Sequence, residues 1–290
     1  MKILVTGANG QLGSALKFSC PNGLNTFFLD KEKFNLSQPE KCVKVIDEIK
    51  PNWVINAGAF TNVDMAEDNE SLALNVNSET PFQIAKCLEK YNAKFLYIST
   101  DYVFNGEKTS PYNVFDEVSP LNVYGKSKAI GEKKCLSLSN TLVLRTSWVY
   151  GVKGNNFLNS MFKLFLKQDL NSRPISIVSD QIGCPTNVYK LSKVCWELIF
   201  NKSSLNNRVF HWSDAGEASW FDFANEIHDL LLSRNLIKNK IDLIPIPFKD
   251  YKRKAVCPKY SLLDSSITTC TLKINQVDWK KELKKVICNF

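Results

Sequence analysis

A tyrosine and a lysine stand four positions apart in Tyr124-Gly-Lys-Ser-Lys128. On a helix, residues at i and i+4 share a face, so a phenol and an ammonium could meet one substrate there. A free phenol, with a pKa near ~10, is a poor acid–base group at neutral pH. A neighbouring ammonium favours the phenolate and lowers that value. The tyrosine can then protonate an oxygen as a hydride reaches the attached carbon. As a bare pair, the two would most often be solvated surface residues. A second candidate is Thr100, in Ser99-Thr100-Asp101-Tyr102-Val103-Phe104, at the end of an apolar run. Its hydroxyl could bond a carbonyl, although a lone Thr after a strand is more often a cap. The third is Gly7-Ala-Asn-Gly10-Gln-Leu-Gly13. Gly7 permits a tight turn, Gly10 lets the backbone approach a pyrophosphate, and Gly13 lets a helix pack closely. The helix N-terminus beyond would face the anion with free N–H groups and the positive end of its dipole. Asp30 ends the next apolar run, where a carboxylate can bond a ribose 2′-hydroxyl; Lys31 beside it could instead meet a 2′-phosphate. NADPH and NADH both remain open.

Elements that could position these groups follow from the pattern. Strands are expected at Lys2–Thr6, 26–29, Trp53–Asn56, 94–99 and Thr141–Thr146. Helices are expected at 12–18, 41–49, 71–91 (with Pro81 as a kink or an internal start) and 123–135. Alternating β and α elements with continuous apolar strands predict an α/β fold, a doubly wound parallel sheet covered on both faces. Ligands bind beyond the carboxyl ends of such strands, where Thr100 would stand. After Val149 the rhythm changes: helices at 156–170, Val188–Phe200 and Trp220–Ser233, a short strand at Ile175–Val178, and an amphipathic tail at Trp279–Ile287. This divides the chain into a dinucleotide-binding Rossmann domain over 1–150, with returning segments near 175–186 and 208–215, and a smaller α+β domain over 151–290.

The chain has 290 residues, 44% hydrophobic and 23% charged, which excludes a disordered chain or a fibre. No apolar run approaches the ~20 residues of a membrane span. The start lacks a secretory h-region, and a cytoplasmic protein is expected. A net charge of +8 could signal nucleic-acid binding. The lysines are dispersed, however, and no basic stripe interleaves with aromatics, so a solvated Lys-rich surface is expected instead. The nine cysteines form no CxxC and read as reduced, mostly buried residues. No metal site is expected. His211 and His228 read as packed or surface residues rather than catalytic bases.

At these motifs the chain resembles the extended short-chain dehydrogenase/reductases, and within them the dTDP-4-dehydrorhamnose reductase family. The matching segments are VTGANGQLG, VINAGAFTNVDMAE, YISTDYVFNG, SPLNVYGKSKAIGE, LRTSWVYGVKGNNFL and VSDQIGCPT, in family order from Lys2 to Thr186. Weaker echoes follow at 208–212 and 258–263. The resemblance implies NAD(P)H-dependent reduction of the C4 ketone of dTDP-4-dehydro-6-deoxy-L-mannose to dTDP-L-rhamnose. It makes Tyr124 the proton donor, has Lys128 tune it and bond the nicotinamide ribose, and has Thr100 polarise the ketone. It assigns Gly7, Gly10, Gln11, Leu12, Gly13, Asp30, Leu36, Ala57, Gly58 and Ala59 to the cofactor. It assigns Tyr102, Trp148, Asn155, Asn156, Gln181 and Pro185 to the substrate. Unaided, Asn155 and Asn156 suggest a helix cap, Trp148 a core aromatic, and Gln181 and Pro185 a loop. Three positions depart from the family: Asn35 stands for Asp, Gly58 for Ala, and Cys257 for the Arg that usually precedes Pro258. The last removes a cation, for which Lys252, Arg253 or Lys254 could substitute.

Two other functions stay open. One is reduction of a different nucleotide-linked 4-keto sugar. The other is a non-catalytic nucleotide-binding regulatory subunit, against which the intact Thr100, Tyr124 and Lys128 speak. The expected partner is a nucleotide sugar, with no nucleic acid and no membrane, and the chain could be a monomer or a homodimer.

Overall fold

Strands with no polar face need cover on both sides, and helices from both halves of the chain provide it. The computed structural model describes residues 1–169, 173–201 and 207–289. In chain order the first elements are β1 (Lys2–Thr6), α1 (Gln11–Phe18), β2 (Asn25–Leu29), α2 (Pro39–Ile49), β3 (Trp53–Asn56), α3 (Val63–Asp68) and α4 (Glu70–Leu74). Next come α5 (Thr80–Glu89), β4 (Lys94–Thr100), α6 (Val123–Leu136), β5 (Thr141–Thr146), β6 (Val149–Tyr150) and α7 (Phe157–Asp169). Then follow β7 (Ile175–Val178), β8 (Ile182–Gly183), β9 (Thr186–Asn187), α8 (Val188–Phe200) and β10 (Val209–Trp212). The last are β11 (Ala218–Ser219), α9 (Trp220–Ser233), β12 (Leu243–Ile246), α10 (Ser266–Leu272) and α11 (Trp279–Ile287).

Six strands make one parallel sheet in the order β10-β5-β4-β3-β1-β2. The expected α/β doubly wound sheet is therefore present. Ile3 and Val5 of β1 face one side, packed with α1 and α8; Leu4 faces the other, packed with α2 and α5. A second core gathers α7, α9 and α11 around β7. Segment 208–215 contributes β10 to the large sheet. Segment 175–186 does not reach that sheet: β7 pairs with β12, β8 with β11 and β9 with β6. The β12 strand contains Pro245, which an edge strand tolerates because no ladder bond needs its missing N–H.

The helix expected over 71–91 is interrupted. A π-helical turn at Asn75–Glu79 separates α4 from α5, and Pro81 falls in the first turn of α5, where its missing N–H costs nothing. The wide turn puts Asn77 inward. Its amide bonds the Phe60 N–H and carbonyl and the Ser127 hydroxyl, tying the loop after β3 to α6. Of the expected helix over 156–170, Leu170 lies outside the described residues. All nine cysteines are free, six of them buried. Burial pushes the thiols of Cys42 and Cys87 up to about 12 and about 11, which leaves them unreactive. Among the described residues no helix is long and apolar enough to cross a membrane.

One ion pair fastens α6 to the sheet. Arg145 on β5 grips Glu132 through Nε and Nη2, at 3.0 and 2.7 Å, and both side chains are only 4% exposed. The Arg145 Nη1 donates to His211 Nε2, whose Nδ1 donates to the Tyr112 carbonyl. Burial and the Arg145 charge push His211 down to about 3, so it stays neutral. Removing one partner of such a pair strands a charge in the interior. Glu132→Ala is expected to lose about 3–5 kcal/mol of stability in urea denaturation. A loss below about 1 kcal/mol would mean that the pair does not anchor the helix.

Candidate active site

The glycine turn after β1 is built for close approach. Gly7 has φ +63°, and a Cβ there would come within 2.7 Å of the Gly58 backbone. A Cβ on Gly13 would stand 2.1 Å from the Gly7 carbonyl, so only glycine lets α1 pack on its own turn. Gly10 starts the helix without a side-chain cap, leaving the first N–H groups to an anion. An open cleft of about 1000 Å³ begins at this turn and runs past the carboxyl ends of β1, β3, β4 and β5. That is where an order of 2-1-3-4-5 reverses direction and binds ligands. The uncapped helix and the cradle that a Cβ would fill fit the diphosphate of a nicotinamide dinucleotide.

Most expected cofactor residues line this cleft: Gly7, Gly10, Gln11 and Leu12, with Leu36 and Ala57–Ala59 opposite. Gly13 lies behind the turn. Asp30 does not line the cleft either. One of its oxygens accepts from the Asn9 amide and the other from the Glu32 and Lys33 N–H groups. Its carboxylate is thus spent on the local turn, as it is for many Asp residues after strands. Lys31, its neighbour, does line the cleft and is exposed. Asn35 also lines it, with its side-chain oxygen holding the Ser37 N–H and hydroxyl. Gly58 is tightly flanked: a Cβ would meet Leu36 Cδ1 at 2.8 Å.

Thr100, Tyr124 and Lys128 converge on the same cleft. Thr100 ends β4; its hydroxyl donates to Asp101 at 3.0 Å and accepts the Tyr102 N–H at 3.2 Å. Asn122 caps α6 by accepting the Gly125 N–H at 2.8 Å, which starts the helix just before Tyr124. Tyr124 packs edge-on against Tyr102, with ring centroids 5.9 Å apart. Lys128 is buried; its Nζ donates to the Ile98 carbonyl at 2.6 Å and sits 4.4 Å from the Tyr97 ring centroid. Desolvation governs all three titrating groups. Burial pushes Tyr124 up to about 12, against the pull of the Thr100 hydroxyl. Burial brings Lys128 down to about 8, opposed by Glu132. Burial raises Asp101 to about 6, against the hydroxyls of Ser261 and Thr100. Burial is the largest influence on the Tyr124 phenol and raises it, while the Lys128 ammonium that the sequence reading expects to lower it donates to the Ile98 carbonyl. The arrangement holds a protonated phenol beside a hydroxyl and a buried amine, a set able to deliver a proton to an oxygen.

The expected substrate residues divide. Tyr102, Trp148 and Asn155 line the cleft, whereas Asn156, Gln181 and Pro185 do not. Asn156 accepts the Asn159 N–H and donates to Gln11 at 2.8 Å, so it is a cap that ties α7 to α1. Pro185 precedes Thr186, whose N–H bonds the Trp148 carbonyl. Gln181 is buried, with no protein partner for its Nε2 among the described residues. The Tyr102 hydroxyl donates to Cys257 at 3.6 Å. Arg253 is bound by Asp64 and Lys254 by Asp68, and neither lines the cleft. Phe60 and Trp220 are among the lining residues that went unanticipated. Trp220 follows Ser219 with Asp222 three positions on, a capping box legible in sequence, but nothing local says what its ring meets.

The parallel sheet, uncapped glycine turn and Thr–Tyr–Lys cluster define an α/β dinucleotide-binding protein of the short-chain dehydrogenase/reductase class. Its fold matches a UDP-glucose 4-epimerase from Thermus thermophilus, in complex with NAD, with TM-score 0.76 at 16% identity, covering 99% of this chain and 98% of that one. The RmlD substrate binding domain model matches residues 1–290, and the chain belongs to that family. It is 35% identical over 291 residues to a dTDP-4-dehydrorhamnose reductase of Aggregatibacter actinomycetemcomitans, covering 98% of each. A dTDP-4-dehydrorhamnose reductase from Clostridium acetobutylicum superposes with TM-score 0.91 at 35% identity, covering 100% of this chain and 99% of that one. One from Bacillus anthracis, in complex with NADP, gives 0.90 at 31% identity, with the same coverage.

Lys128 is charged below about pH 8 and neutral above it. An anionic dinucleotide favours the charged form. NADPH affinity, followed by fluorescence titration, is expected to weaken as pH rises through about 8, and Lys128→Met is expected to flatten that step. An unchanged step in the variant would assign it to another group.

Proposed function

We propose that this chain reduces the C4 ketone of dTDP-4-dehydro-6-deoxy-L-mannose to dTDP-L-rhamnose, using NADPH. The observation that carries the reading is the convergence of Thr100, Tyr124 and Lys128 on the cleft that starts at the glycine turn. Full-length similarity to reductases of that name supports it. The N–H groups at the start of α1 would hold the diphosphate, and Leu36 with Ala57–Ala59 the adenosine side. When bound, the nicotinamide supplies the hydride. Tyr124, protonated at neutral pH, donates its proton to the oxygen that gains charge. The Thr100 hydroxyl turns from Asp101 to the ketone oxygen and polarises it. Lys128 contributes a nearby positive charge and bonds the ribose. Tyr102, Trp148 and Asn155 enclose the sugar. Exposed Lys31 meets a 2′-phosphate.

The test is loss of the NADPH absorbance band on mixing the protein with the 4-keto sugar nucleotide, with dTDP-L-rhamnose as product. Binding without turnover would favour a regulatory subunit. Tyr124→Phe is expected to lower turnover by about 10²-fold or more with cofactor affinity retained. Undiminished turnover would remove Tyr124 as the donor. Lys31→Glu is expected to shift preference from NADPH toward NADH by about tenfold or more, the size of one charge-assisted contact. An unchanged ratio would place phosphate recognition elsewhere.

A further inference from the structure

Trp148 carries a backbone that L-residues rarely adopt, with φ +44°. Such a conformation persists only where the surroundings over-determine it. Here they do so from several sides. The Trp148 carbonyl accepts the Thr186 N–H at 3.2 Å, and Val149 pairs with Thr186 in the β6–β9 ladder. The indole stacks on Trp220 with centroids 3.5 Å apart and planes 6° from parallel. The Gly183 backbone lies against the same indole, so closely that a Cβ there would meet Cε2 at 2.8 Å. Trp220 is itself fixed. It is the first residue of α9, behind the reciprocal Ser219–Asp222 capping box, and Phe157 backs it at 4.7 Å. The β11–β8 pairing of Ala218 with Gly183 and Ser219 with Ile182 brings both walls to one place. Trp148 and Trp220 both line the cleft.

We infer that Trp220 and Gly183 are positioning residues that clamp Trp148 in one orientation and so set the shape of the sugar end of the cleft. Trp220 comes from the second core and Trp148 from the turn after β5, so the stack carries the position of one lobe into the pocket of the other. The inference rests on the proposed sugar-nucleotide reading. It adds that recognition of the sugar depends on the ring stacked against Trp148 and on the absence of a methyl group at position 183. Offset or parallel aromatic pairs hold their partners in defined geometry, which a leucine cannot do.

Trp220→Leu, Trp220→Phe and Gly183→Ala are compared in the full-length enzyme. Stacked indoles couple their transitions, so circular dichroism reports the pair directly. Trp220→Leu is expected to lose that couplet and to raise KM for the 4-keto sugar nucleotide by about tenfold, the weight of one aromatic pair. NADPH affinity and the melting temperature should stay near wild type. Trp220→Phe should recover most of the KM. Gly183→Ala, which keeps both indoles but pushes on one, should also raise KM more than it lowers kcat. If Trp220→Leu loses the couplet and KM stays within about twofold of wild type, the inference fails. If that variant does not fold, an unchanged KM in Gly183→Ala overturns it equally. Calorimetric binding of dTDP-L-rhamnose separates this from the reductase reading: weakened binding in the variants supports the clamp even where the wild type turns nothing over, and unchanged binding refutes it.

Discussion

The close approach of α6 to the sheet is the constraint on which the site depends. A Cβ on Gly125 would lie 2.1 Å from the Tyr102 carbonyl, and one on Gly131 would lie 2.2 Å from the Asn77 carbonyl and 2.5 Å from the Tyr97 hydroxyl. Two glycines on one helix therefore let its axis sink onto β4 and the loop beyond it. Tyr124 and Lys128 are carried by that descent to the end of β4, where Thr100 stands. The buried Arg145–Glu132 pair holds the other end of the helix down. Such a pair adds little net stability over an apolar substitute, but it is costly to break, so it fixes where the helix lies. The π-helical turn serves the same end: the Asn77 side chain reaches Ser127 on α6 and both backbone groups of Phe60 in the cleft wall.

That descent also determines the electrostatics. Side chains pressed between helix and sheet lose water, and loss of water disfavours whichever form is charged. One cause thus moves Tyr124 and Asp101 up and Lys128 down. The phenol is kept protonated, and the amine is brought down toward the physiological range. The same cause silences the other candidates for chemistry. His211 is held neutral between Arg145 and the Tyr112 carbonyl, and His228 accepts the Ile241 N–H from inside the second core. Neither lines the cleft, so acid–base work falls to groups whose charge the burial itself has tuned.

Much of the large sheet was legible because its strands are continuous apolar runs bounded by turn residues; Trp53–Asn56 and Thr141–Thr146 fall where the pattern puts them. The glycine turn was legible because each glycine has a steric reason to be there. The unread parts share a cause. Two-residue strands such as β8 and β11 have no periodicity to detect, and they exist only because distant segments meet. Leu243–Ile246 contains a proline that local rules count against a strand, and its edge position removes the objection. Asp30 has the right type at the right place, but its oxygens find partners within three residues and on Asn9. Local hydrogen bonds of this kind compete with ligands and leave no trace in residue type.

The second lobe supplies one wall of the cleft through Trp220. Its ties to the first lobe are both apolar, as where Leu263 packs with Phe104 and Tyr112, and polar. Arg253 grips Asp64, Lys254 meets Asp68, and the Asn122 amide donates to the Val256 carbonyl. The Lys254 pair is exposed on both sides and adds little. The Asn122 contact matters more, because the same side chain caps α6 through its other atom. The residue that begins the helix bearing Tyr124 and Lys128 thus also reads the position of the loop holding Cys257. At Cys257 the buried thiol accepts the Tyr102 hydroxyl and supports an aromatic wall of the cleft. Arg253 is committed to Asp64, and among the described residues no arginine lines the cleft.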